Sequence, residues 1–261
     1  VIVDMSRFED WGRDCALHTA SRLRRELGAL AIAMPPATAN AYAILDRVAG
    51  SQPIAPDHNA VRDRILDGSD QDAIDSALLA ELSATRLLAA WAAARTVAAQ
   101  RIATAVHCDY EELYEALRER AEQHIEVIKR AAAVDVPLDA LIRAGRSEDA
   151  AAVAQAATAV ASLDVLHSLH STIEPVQMVV DSVDCRFWRD QRQAKHVASV
   201  GDSRCDYIIA AIRGGAELWF PSADEARGAA RAIAEEYRKQ WTRDEAIRKR
   251  QVTGVGPVML D

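Results

Sequence analysis

The run from Asp70 to Val106 contains neither proline nor glycine, and alanine and leucine dominate it. No other feature of the chain limits its fold so tightly. Alanine has the highest helix propensity, and its small side chain lets neighbouring helices come close. Across the whole chain roughly one residue in five is alanine, well above ordinary usage. The enrichment is dense up to Ala161, vanishes between Ser162 and Gln193, and returns near the C-terminus. These observations predict a mainly α protein: a multi-helix bundle over residues 1–174 with one long central helix at about 70–106.

The periodicity places the other helices. Ser6 and Glu9 form a capping box ahead of a helix to about Leu30, whose stripe includes Trp11, Ala16, Ala20, Leu23 and Leu27. Short helices are expected over 38–48 and 57–66, closed by Gly50 and Gly68. Asp109 opens a helix to about Ala133, with Tyr110, Leu113, Leu117, His124 and Ile128 facing inward. Pro137 starts a short helix ending near Gly145, and Ser147 caps another that runs to about Ser171. The 70–106 helix is apolar over so wide an arc that it must meet more than one neighbour, as a bundle spine or an oligomer seam.

Composition changes at Pro175. Tyr207–Arg213, Gly214–Gly215 and Ala216–Phe220 read as a β-hairpin, because paired glycines supply the positive φ of a tight turn. Ser222 and Glu225 form a further capping box, for a helix through Trp241. Residues 175–252 are therefore expected to form a small C-terminal β-hairpin plus helix module of ββα type, and 253–261 an extended arm.

A net charge of −8 argues against a general nucleic-acid binder, which needs a surplus of Lys and Arg. Arginine's excess over lysine runs along the whole chain and matches the codon bias of a GC-rich genome. Cys15, Cys108, Cys185 and Cys205 lie far apart with no CxxC, so they read as free thiols, with a Cys185–Cys205 bridge the one pairing considered. No signal peptide is evident, and Arg86, Arg95, Gln100 and Arg101 interrupt the alanine-rich run as a membrane span. A soluble, cytoplasmic protein is expected.

Four constellations could carry chemistry. Asp164, His167, His170 and Glu174 share about a third of a helix circumference, a spacing that could hold zinc or iron. Arg13-Asp14-Cys15-Ala16-Leu17-His18 resembles the short motif of HEPN-type ribonucleases, helical proteins that cleave RNA without metal. That resemblance covers six residues; it implies that Arg13 would hold the scissile phosphate and His18 would act as acid or base. Glu115, Glu119, Glu122 and Glu126 share a helical face, but Ala121 stands three before His124, so the Glu-x-x-His of di-iron bundles fails and a salt-bridged surface is expected. Arg186, Phe187, Trp188, Arg189 and Arg192, with Trp219 and Trp241, combine arginine with aromatic rings as partner-binding surfaces do.

No GxGxxG, P-loop or GxSxG is present, and nothing calls for a cofactor. The expected function is therefore non-enzymatic: a helical interaction or assembly protein, part of a larger homo- or hetero-oligomeric particle. A phage or mobile-element structural protein would fit this composition. Its partners are proteins, through self-association or a larger assembly, with nucleic acid reached only through a local basic patch and no membrane. Two other readings are a metal-independent ribonuclease using Arg13 and His18, and a metal-binding helical protein using Asp164, His167 and His170.

Overall fold

A computed structural model describes residues 13–174, 183–195 and 203–253, with side chains for 16–174, 183–194 and 203–248. Ten α-helices make up its regular structure among the described residues. They are α1 (Arg13–Ala29), α2 (Pro36–Gly50), α3 (Ala60–Leu66), α4 (Gln71–Cys108), α5 (Tyr110–Ala133), α6 (Leu138–Arg143), α7 (Ser147–Ile173), α8 (Gln191–Lys195), α9 (Arg204–Arg213) and α10 (Ala223–Thr253). The chain divides into two compact units, Val1–Leu113 and Tyr114–Asp261.

In the first unit α1, α2 and α3 all pack on α4. The long helix is unbroken, and the Asp70 carboxylate caps it by accepting from the Ala73 amide at 2.9 Å. The predicted α1 stripe is buried at Ala16, Ala20, Leu23 and Leu27. Polar anchors fix the register. Tyr42 Oη donates to the Ala20 carbonyl at 2.6 Å, Trp91 Nε1 to the Val48 carbonyl at 2.7 Å, and Arg24 forks onto Asp46 at 2.7 and 2.9 Å. The buried residues of α4 are Ala98, Ala99, Ile102, Ala103 and Val106, all in its last third. The capping box at Ser6 and Glu9 lies outside the described residues.

The second unit is organised around α7. Ala152 and Ala156 meet Ala131 of α5, with Cys205 and Ile209 of α9 against them. Ala150 meets Val134 and Leu141. Arg213 donates from Nε to the Ala132 carbonyl (2.9 Å) and from Nη2 to the Val134 carbonyl (2.6 Å), satisfying acceptors left open at the end of α5. Cys185, Ala230 and Ile233 form another apolar cluster with Val183 and Trp219.

The expected hairpin is not formed, and the described residues contain no β-strand; an isolated antiparallel bridge joins Trp188 to Leu218. Tyr207–Arg213 belongs to α9 instead. Ser203 nucleates that helix by accepting from the Asp206 amide at 3.1 Å. The glycine pair ends it: the Gly215 amide bonds the Ile212 carbonyl (2.9 Å) and the Ala216 amide bonds the Ala211 carbonyl (2.9 Å), the two bonds of a Schellman motif. Gly215 takes φ +92° there. Paired glycines serve a helix end as well as a hairpin turn, and the Ser203 cap decides between them. The C-terminal module is thus helical, with α10 running well past Trp241. The extended arm is expected over 253–261; Thr253 instead ends α10, and residues 254–261, like the Val-rich segment 176–182, lie outside the described residues.

Candidate functional site

The α7 residues singled out from sequence do come together, in a layer of rings. His167 lies 4.9 Å from the ring centroids of both Phe187 and Phe220. His170 lies 5.1 Å from Phe220 and 5.1 Å from Tyr114. Its Nε2 is 3.6 Å from Glu174 Oε2, and both side chains are buried. The i, i+3 and i, i+4 spacing on one α-helix brings this about. His167 Nε2 is closed off from solvent and, among the described residues, makes no hydrogen bond. Burial, and next His170 nearby, lower its pKa to about 3. Burial likewise pushes the Tyr114 phenol up to about 12.

The arrangement does not assemble a metal site. Asp164, the expected carboxylate ligand, is gripped by Arg204, Nε to Oδ2 at 2.6 Å and Nη2 to Oδ1 at 2.7 Å. The same guanidinium lies 5.0 Å from the Phe187 ring centroid. Among the described residues no group of three or more His, Cys, Asp or Glu side chains is placed to hold an ion. The ring layer works as packing: His167 and His170 fill space beside aromatic rings.

The expected partner-binding arginines are similarly occupied. Asp184 accepts from the Arg186 backbone amide (2.9 Å) and from its guanidinium (2.6–3.1 Å). Asp190 does the same for Arg192, which also reaches Glu236 at 2.8 Å. This D-x-R pattern occurs twice within nine residues, at Asp184-Cys185-Arg186 and Asp190-Gln191-Arg192, so the pairing is visible in the sequence. Arg189 sits 4.9 Å over Trp219 and 3.3 Å from Glu217. Trp219 Nε1 donates to the Cys185 carbonyl at 2.7 Å, and Trp188 is buried edge-on to Phe187 and Tyr207. These residues brace one another within the second unit. Trp241 differs, standing 68 % exposed on α10.

Arg13 begins α1, and His18 is exposed one and a half turns on. Five residues of regular helix set the two positions about 140° apart around α1. The carboxylate row is a solvated face, with Arg118 bonding Glu122 at 3.1 Å and Lys129 bonding Glu126 at 3.2 Å. Cys108, Cys185 and Cys205 are free thiols, and burial raises the Cys185 pKa to about 11.

One surface stands apart. Along α4, Leu79, Leu82, Leu87 and Val97 are 65, 51, 59 and 47 % exposed, and Leu78 is 43 % exposed. Residues 89, 90, 92, 93 and 94 between them are exposed alanines. Among the described residues two helices, α4 and α7, hold a stretch long and apolar enough to cross a membrane; none of the α4 stretch is buried, against 39 % of the α7 stretch. No protein-family model, no curated protein and no solved structure matches this chain.

Proposed function

We propose that this chain is a non-enzymatic assembly protein, a helical subunit of a larger homo- or hetero-oligomer that docks through α4. The exposed leucines of α4 carry the reading. Isolated apolar side chains are ordinary on a surface, whereas a row of them along several helical turns marks a contact face. The alanines between the leucines favour a helical partner, since small side chains let backbones approach. Lipid suits the face less well. Arg86 projects from it, Arg95 lies 5.5 Å over Trp91 on the side that packs, and charge at bilayer depth is costly.

The ring layer of α7 and the arginine–carboxylate pairs commit these side chains to one another within the second unit. Light scattering coupled to size-exclusion chromatography tests the proposal. A defined mass at a multiple of 28.4 kDa, or a stoichiometric co-purifying protein, is the expected result. A strict monomer with no partner overturns it.

A further inference from the structure

We infer that α4 packs antiparallel against α4 of a second copy of this chain, with Asp75 of each copy meeting Arg101 of the other; the inference rests on the assembly reading above. The outward residues Asp75, Leu79, Leu82, Arg86, Val97 and Arg101 fall within about 100° of the helix circumference. All six are exposed. From Asp75 to Arg101 the helix rises by 26 residue steps, about 39 Å, long enough for a sustained helix–helix contact.

Charge selects the direction and the register. A parallel pair would set Arg86 on Arg86, Asp75 on Asp75 and Arg101 on Arg101, three like-charge contacts. An antiparallel pair with its two-fold axis level with Leu88 sets Asp75 opposite Arg101 at both ends. It sets Leu79 opposite Val97, and Arg86 opposite Ala90, where the alanine leaves room for the guanidinium to reach solvent along its aliphatic stem. Sliding the axis to Arg86 would bring the two Arg86 side chains together and separate Asp75 from Arg101. Among the described residues Asp75, Arg86 and Arg101 make no ion pair; Asp75 accepts only from Gln71 of its own helix, at 2.8 Å. The charges that would close such a seam are thus not committed elsewhere. Contacts of this kind are isologous and close on themselves as a dimer.

Sedimentation velocity on the full chain, with Asp75→Arg, Arg101→Asp and the double exchange, tests the inference. All three changes are at exposed positions, and circular dichroism confirms the fold of each. The expected result is a wild-type dimer, a loss of at least about tenfold in association for each single variant, and recovery to within about threefold in the double exchange, since each single change reverses two symmetry-related pairs. An oligomer indifferent to all three variants overturns the inference and leaves the assembly reading standing. A monomer joined to a different protein does the same. A monomer without a partner overturns both, as does wild-type protein that floats with neutral phosphatidylcholine vesicles in place of self-associating.

Discussion

α4 and α7 are nearly the same helix by composition and differ in what surrounds them. Both are alanine-rich, and both contain a stretch of mean hydropathy 1.3. In α7 the larger residues Leu163, Leu166, Leu169 and Ile173 are buried, and even the polar members of the helix are drawn into the ring layer. In α4 everything before Ala98 is half-buried or exposed. The difference lies in the neighbours. α7 has α6 and α9 against it and a chain segment that returns Phe187 to its C-terminal half. α4 is longer than the helices folded back along it, and α3, whose preceding turn places His58 2.9 Å from Glu81, is only seven residues long. Hydropathy states what a helix can bury, and the number of flanking elements decides what it does bury.

The largest test of this contrast is in α7. Leu163→Ala removes a side chain with no exposed surface and leaves a cavity walled by well-packed neighbours. The expected loss is about 3–5 kcal/mol by urea denaturation. A loss under about 1 kcal/mol would mean that α7 is as open as α4, and the contrast between the two would go.

A second test asks how fully α7 is sealed. His167 has its pKa lowered from 6.5 to about 3 by burial, so the folded state disfavours the imidazolium and the unfolded chain does not. Between those values the unfolded state binds more protons, and stability therefore falls as pH falls. The contribution is complete above about pH 6.5 and is lost progressively below it, by about 3 kcal/mol on reaching pH 4. His167→Phe keeps a ring beside Phe187 and Phe220 and should flatten that part of the pH profile of the urea midpoint. An unchanged slope in the variant would show that His167 is solvated.

Much of this contrast could be read from sequence. The stripe of α1, the cap at Asp70, the span of α5 and the inward set Leu113, Leu117 and Ile128 follow from period and capping, which are local. The α7 histidines could be placed on one helical face for the same reason. Their surroundings could not, because Phe187, Phe220, Tyr114 and Arg204 reach them from distant parts of the chain, and local pattern carries no information about such contacts. The Arg186–Trp188 stretch looked like a docking surface because arginine beside aromatics serves interfaces and internal braces alike. What separates the two is the Asp two residues before Arg186 and Arg192, which was in view and is short-range. The glycine pair misled for a related reason: Gly215 needs positive φ in a helix cap as much as in a hairpin, and the Ser203 cap seven residues before Ala210 is what favours helix.

The smallest effect completes the comparison. Leu82 is half-exposed on α4, on the opposite side of the helix from the residues that face α1, α2 and α3. Leu82→Ser should change the unfolding free energy of dilute, dissociated protein, from urea denaturation, by less than about 0.5 kcal/mol, roughly a tenth of the Leu163→Ala loss. At high protein concentration the same substitution should behave differently. Association stabilises the folded state by mass action, so the wild-type midpoint rises with concentration, and removing a leucine from the seam should shrink that rise. A large loss in dilute protein would place Leu82 in the core of the first unit and make α4 a buried helix after all. A concentration-dependent rise that is the same in both proteins would leave Leu82 outside any contact. The pairing of a negligible folding effect with a weakened association is what separates a surface reserved for a partner from one that is merely exposed.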